Sequence, residues 1–387
     1  MEATARAVRN GPLRGLRVID AASLYAGPFI STLLADHGAD VIKIEPPGGD
    51  PYRVERRPLW PILARNKRSI TLDLRSDAGC DLLRKLAARA DVLVVNLLPH
   101  QLERRRLTWA DLSAINPDLV LVCVTSYGLS GPSAELPGSG TLGEAFAGLT
   151  HLTGDPNGKP MLSSVPLGDA VTGWVGAFGV LAACYERAHG GRGQVIDVNP
   201  VDSLLHIAAP ALAEFEPGQP PPGRLDGRLP GSPVRNTFRC LDGRWVAISC
   251  STPRHLNDLM ELIGHRLDGP GVDDGALDSA MARWTACHPR GEVLESLAAR
   301  RLPGAPVHDA ETVQADPHVR ARQAIRSVAS TELGDRMTPD AAPRFGHRQD
   351  DSAWRCPDVG EDTHEVLAEL LGLSPAEVDR LESSGVI

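Results

Sequence analysis

Short apolar runs alternate with helix-patterned stretches from the start of this chain, and that alternation constrains the fold class. Leu16–Asp20, Asp40–Glu45, Asp91–Val95 and Leu119–Val124 are too short for helices and rich in Val, Ile and Leu, which is how buried strands read. Ser69–Asp73 and Gln194–Val198 read as further strands. Between them, Phe29–Asp36, Ala78–Ala90 and Ala170–Glu186 carry helical patterns, with Pro28 suited to a first turn and Gly38 to an exit. Strands alternating with helices imply an α/β fold whose mainly parallel sheet is covered on both faces.

The pattern breaks at Glu216–Gly223, where successive Pro and Gly residues cannot continue the helix expected over Val201–Glu214. Residues 1–215 are therefore expected to form the N-terminal part of a large domain, with a linker over 216–232 that reaches Pro230–Gly231. Residues 233–330 read as a smaller α+β domain. It opens on strands Asn236–Cys240 and Arg244–Ser249 around the hairpin signal Asp242–Gly243, and helices follow near 255–263, 277–286 and 291–299. Residues 331–387 form a C-terminal segment ending in helices 363–371 and 375–383, the second opened by Ser374 as N-cap and Pro375 at the first helical position.

Composition excludes several functions. A net charge of −9 over 387 residues argues against nucleic-acid binding through a general basic field. The seven scattered cysteines show no CxxC pair, and no HExxH or other metal-ligand spacing occurs, so neither a disulfide framework nor a metal site is expected. The Met1–Arg6 start lacks an apolar signal core and no run of eighteen uninterrupted apolar residues exists, which points to a cytoplasmic protein with no membrane partner. GxSxG is absent, leaving a serine hydrolase without support.

What remains is a carboxylate. Asp169, in Pro166-Leu167-Gly168-Asp169-Ala170, precedes the Ala/Gly-rich helical stretch, and its residue type suits either a helix N-cap or a nucleophile toward an acyl thioester. Candidate anion-binding elements are the loop Ser23–Gly27, the basic residues Lys43, Arg65, Lys67, Arg68, Arg75 and Arg104–Arg106, and Asn96, which is equally suited to an Asx turn.

These segments together resemble the class III CoA-transferases, the family of formyl-CoA transferase, carnitine CoA-transferase and α-methylacyl-CoA racemase. The resemblance rests on Gly11–Asp20, Ala26-Gly27-Pro28, Leu33–Glu45, Asn66–Ser69, Leu167-Gly168-Asp169, Gly191–Gln194, Asp316–Arg322 and Gly360–Leu367. It implies a Rossmann-like large domain built from both termini, a smaller inserted domain, and an interlocked homodimer. It also implies Asp169 as the catalytic carboxylate, coenzyme A bound along Tyr25, Ala26, Leu72 to Arg75, Asn96 and Arg104, and a small carboxylic acid as second substrate. Gly138 and Gly140 are candidates for backbone stabilisation of an oxyanion. A helix starting after Asp169 would favour its ionised form. The racemase branch carries a His-Asp pair near Ser139-Gly140, absent here, so CoA transfer is expected over racemisation or a non-catalytic acyl-CoA-binding role. Tyr25 replaces the Gln of formyl-CoA transferase, and Asn96–His100 departs from that family's usual loop.

Overall fold

Period-two burial sorts the strand side chains of the large unit onto two faces. Val18, Val41, Val92, Val94, Val120 and Val122 pack on one side of the sheet, and Ile19, Ile42, Leu93, Val95, Leu121 and Cys123 on the other. A strand buried on both faces reads as a continuous apolar run, and that is why these segments were legible. In this computed structural model, residues 10–229, 232–264, 274–346 and 353–387 are described. The Met1–Arg6 start and the Pro230–Gly231 end of the expected linker lie outside them.

The central sheet contains β1 (Arg17–Asp20), β2 (Asp40–Glu45), β3 (Arg68–Thr71), β4 (Val92–Val95), β5 (Val120–Val124) and β6 (Val195–Val198). All pair in parallel, in the order β3-β2-β1-β4-β5-β6. This is the strand order of Rossmann-type sheets, with a topological switch between β1 and β4. Helices Ala26–Asp36 and Leu167–Ala188 cover the Val18 face, while Asp77–Ala87, Thr363–Leu371 and Pro375–Ser383 cover the Ile19 face. Helix Leu167–Ala188 is long and apolar enough by composition to cross a bilayer, which scanning for uninterrupted apolar runs does not show. Here it packs against Ala26–Asp36 and β6.

Two compact units emerge. One comprises the described residues up to Gly148, Ser163–Pro210 and Gln323–Ile387, and the other Leu149–Leu162 and Ala211–Arg322. Relative to the expected boundaries, a short excursion at 149–162 joins the second unit, and the chain returns to the first at Gln323 rather than near 331. The return is fixed by backbone bonding: Asp362 N–H donates to Ser69 O at 2.9 Å, and Asp73 N–H to Val386 O at 2.7 Å. The second unit holds an antiparallel sheet of β7 (Val234–Arg239), β8 (Trp245–Cys250) and β9 (Gly304–Pro306) in the order β7-β8-β9. Gly243, with φ of 77°, makes the tight β7–β8 turn. A third small sheet, of β10 (Ile325–Ala329), β11 (Arg336–Pro339) and β12 (Trp354–Arg355), belongs to the first unit and was not expected.

Candidate active site

The loops leaving β1 and β4 part at the switch point, and Asn96 ties them together. Its Oδ1 accepts the Ser23 N–H at 3.0 Å and its Nδ2 donates to Ser23 O at 3.0 Å. The side chain therefore clamps one loop to the other instead of closing an Asx turn of its own. Beneath this clamp lies a cavity of about 210 Å³ lined by Tyr25, Ala26, Asn96, Ser126, Gly138, Gly140 and Asp169, among others. No Lys or Arg lines it among the described residues.

Asp169 sits in the first turn of Leu167–Ala188, whose N-cap is Pro166 and makes no side-chain cap. The helix thus begins two residues before the carboxylate rather than after it, and the capping alternative does not hold. The carboxylate accepts the backbone N–H of Gly140. Burial raises its proton affinity, the Gly140 N–H opposes, and the nearby Glu144 carboxylate adds, leaving Asp169 at about 6. Gly140 permits the close approach: a Cβ there would lie 2.5 Å from Asp169 Cγ.

Six of the nominated residues, Tyr25, Ala26, Asn96, Gly138, Gly140 and Asp169, line one cavity. The other three do not. Leu72 is packed in the core, Arg75 is 82% exposed and paired with Asp73 at 2.8 Å, and Arg104 is exposed on helix Pro99–Arg105. Arg105 Nε donates to Leu74 O at 3.1 Å, which sets that helix beside the Leu72–Arg75 loop.

Most of the nominated basic residues face acids instead of the crevice. Lys67 Nζ is 2.8 Å from Asp20 Oδ2, Lys43 Nζ 3.6 Å from Asp50, Arg65 2.7 Å from Asp36, and Arg68 2.8 Å from Asp40. Buried cations need counter-ions, and these have internal ones. A larger cavity of about 650 Å³ beside β10 and β11 also has its cations engaged, with Arg326 and Arg344 both on Asp340. Among the described residues, His364, Asp379 and Glu382 bring possible metal-ligand atoms within 4.8 Å, all exposed, and His364 is already paired with Glu382 at 2.8 Å.

Sequence reasoning missed Glu144 and Tyr52. Burial raises the Tyr52 hydroxyl and the Asp169 charge adds to it, so Tyr52 stands close enough to feel the carboxylate. Tyr25 is raised likewise by burial, opposed by Arg65 and helped by Asp169. Neither Glu144 nor Tyr52 sits in a motif, so nothing in one sequence marks it.

A sequence profile described as CoA-transferase family III matches residues 13–363. The chain belongs to that family. Among its relatives in Chloroflexus aurantiacus, it is 35% identical to the succinyl-CoA–L-malate CoA-transferase beta subunit, over 97% of this chain and 98% of that one. It is 32% identical to the succinyl-CoA–D-citramalate CoA-transferase, with the same coverage. Among solved structures, a CaiB/BaiF family protein from Brucella suis superposes with a TM-score of 0.82 at 29% identity, covering 94% of this chain and all of that one. This class III CoA-transferase therefore acts on CoA thioesters, and Asp169 lies in the cavity where its crossover loops meet.

Proposed function

We propose that this CoA-transferase moves CoA from the thioester of a small dicarboxylic acid to a second carboxylic acid through covalent intermediates on Asp169. The observation that carries the reading is the half-buried Asp169 carboxylate, facing a cavity that no described Lys or Arg lines. An unpaired carboxylate is free to attack, and the glycine-lined wall leaves room for a thioester. The acid class follows the succinyl-CoA, malate and citramalate relatives.

In the first step an Asp169 oxygen attacks the thioester carbonyl, the C–S bond breaks, and CoA thiolate leaves a mixed anhydride behind. The thiolate then attacks the Asp169 carbonyl, releasing the donor as its carboxylate and forming an aspartyl-CoA thioester. The acceptor carboxylate attacks that thioester, again expelling thiolate, and thiolate attack on the acceptor carbonyl regenerates Asp169. No proton or electron is gained or lost overall. At about 6, Asp169 is largely ionised at neutral pH yet more basic than an ordinary aspartate. The Gly138 and Gly140 backbones serve the oxyanion. Gly140 N–H, now on Asp169, is placed for handover as that carboxylate becomes an acyl group.

The cavity, about 210 Å³, suits the reacting end of the thioester and not a whole CoA, since drug-sized pockets run from about 300 Å³ upward. The rest of CoA runs outward along Tyr25, Ala26 and Asn96 to the Leu72–Arg75 loop, where Arg75 and Arg104 meet the phosphates. A second copy of the chain, interlocked with the first, covers the exposed apolar face of helix Leu167–Ala188, where Phe178 is 73% and Tyr185 68% exposed. The enzyme works in the cytoplasm, consistent with seven free cysteines. It takes no metal and binds neither nucleic acid nor membrane. Ser139 and Gly140 offer no second base, so racemisation does not compete.

The test is CoA exchange between succinyl-CoA and a panel of carboxylic acids, with hydroxylamine trapping and peptide mass spectrometry. A modified Asp169 and a loss of roughly 10³-fold or more in Asp169→Ala are expected. Full turnover in that variant overturns the reading, and CoA binding without exchange points to a non-catalytic protein.

A further inference from the structure

Glu144 is only 2% exposed, on helix Gly140–Phe146, one turn beyond the residue whose N–H holds Asp169. A carboxylate so placed must be satisfied by hydrogen bonds, because burying it without partners is strongly unfavourable. Its bonds run to the segment leading into the nucleophile. Oε1 accepts the Gly168 N–H at 3.1 Å, and Oε2 accepts both the Ser163 N–H at 3.2 Å and the Ser163 hydroxyl at 2.7 Å. One short helix thus grips Gly168 through its Glu144 side chain and Asp169 through its Gly140 backbone.

We propose that Glu144 is a positioning residue for CoA transfer, its buried carboxylate holding the segment from Ser163 to Gly168 so that Asp169 faces the cavity. This rests on the reading of Asp169 given above. The titratable groups that face Asp169 come from three elements: Glu144 from its own helix, Tyr25 at the head of Ala26–Asp36, and Tyr52 from Tyr52–Glu55. Both tyrosine hydroxyls are raised and stay neutral at pH 7, so Glu144 is the neighbour among these three that acts on the Asp169 charge. Like charges held close oppose ionisation, and a more basic carboxylate attacks faster once ionised.

Glu144→Gln keeps the size and an acceptor for Gly168 while removing the charge. Its kcat is expected to fall about tenfold with KM for the acyl-CoA unchanged, and the acid limb of its pH profile to move to lower pH, because Asp169 then ionises more readily. Glu144→Ala is expected to lose more kcat. Should that variant fail to fold by circular dichroism, Glu144→Gln decides alone. An acid limb and kcat in Glu144→Gln that superpose on the wild type overturn the inference. The two readings separate cleanly: a fully active Asp169→Ala sinks the nucleophile, while an inactive Asp169→Ala beside an unaltered Glu144→Gln sinks only the positioning role.

Discussion

Asp20 and Asp169 both lie near the C-terminal edge of the central sheet, yet the more deeply buried of the two is the stronger acid. Asp20 has no exposed surface, and burial alone would raise it. Lys43 and Lys67 outweigh burial, helped by the Ser31 hydroxyl at 2.6 Å, and hold Asp20 below its ordinary value. Asp169 is only half-buried, yet its burial raises it, the Gly140 N–H opposes only in part and the Glu144 charge adds, so with no cation to offset them it rises to about 6. Depth does not decide acidity here; the presence of cations does. One carboxylate anchors the loop after β1, and the other is left chemically available. The anchor has its own cost: burial drives Lys67 down to about 8, against the pull of Asp20.

Removing the anchor has the largest expected effect. Asp20→Ala would strand Lys67 and Lys43 without a shared counter-ion in a dry core. Breaking such a pair from one side destabilises by about 3–5 kcal/mol, measurable as a shift in the urea midpoint. A shift below about 1 kcal/mol would mean that the lysines are not held as described. The acid side tests the same cluster. Asp20 and Glu45 are both lowered on folding, so the stability they contribute is full above about pH 5 and lost as pH falls through their folded values.

Asp169 should behave in the opposite sense. A carboxyl raised on folding costs stability once ionised, and that cost grows as pH rises from about 4 through 6. Asp169→Asn is therefore expected to be more stable than the wild type at pH 7–8 by about 1–2 kcal/mol, allowing for solvent screening at a half-buried site. Near pH 4 the two should melt together. Melting curves of both proteins at the two pH values check this, and a destabilised Asp169→Asn at pH 8 would erase the contrast with Asp20.

The same contrast explains what one sequence could and could not show. Strand Asp40–Glu45 and helices Thr363–Leu371 and Pro375–Ser383 fall on their expected bounds, because continuous burial and capping leave local marks. The family resemblance carried over Asp169, which residue type and spacing alone read more readily as a helix cap. The basic residues misled for a physical reason: whether Lys67 meets a ligand or Asp20 depends on a partner 47 positions away. The sheet of β10 to β12 also escaped notice, since β12 is two residues long and pairs with β10 in parallel across a long connection. Glu144 had no signal because its partners, Ser163 and Gly168, become neighbours only after the chain folds back on itself.

The third expected effect tests the geometry that lets Asp169 stand unpaired. A Cβ at Gly140 would come within 2.5 Å of Asp169 Cγ and of Asp169 N, closer than side chains approach without displacement, and the obstacle includes backbone. Gly140→Ala should push the proposed nucleophile, Asp169, off its line of attack. Misplacement of about 1 Å costs up to roughly 100-fold in rate, so kcat is expected to fall between about 10- and 100-fold. The strain in the fold should stay within about 1–3 kcal/mol. Gly48→Ala, where an added Cβ meets nothing within 4 Å, supplies the control and should leave kcat unchanged. If the two alanines behave alike, the close packing of Gly140 against Asp169 does not govern the chemistry. In that case the availability of the carboxylate would rest on the missing cation alone.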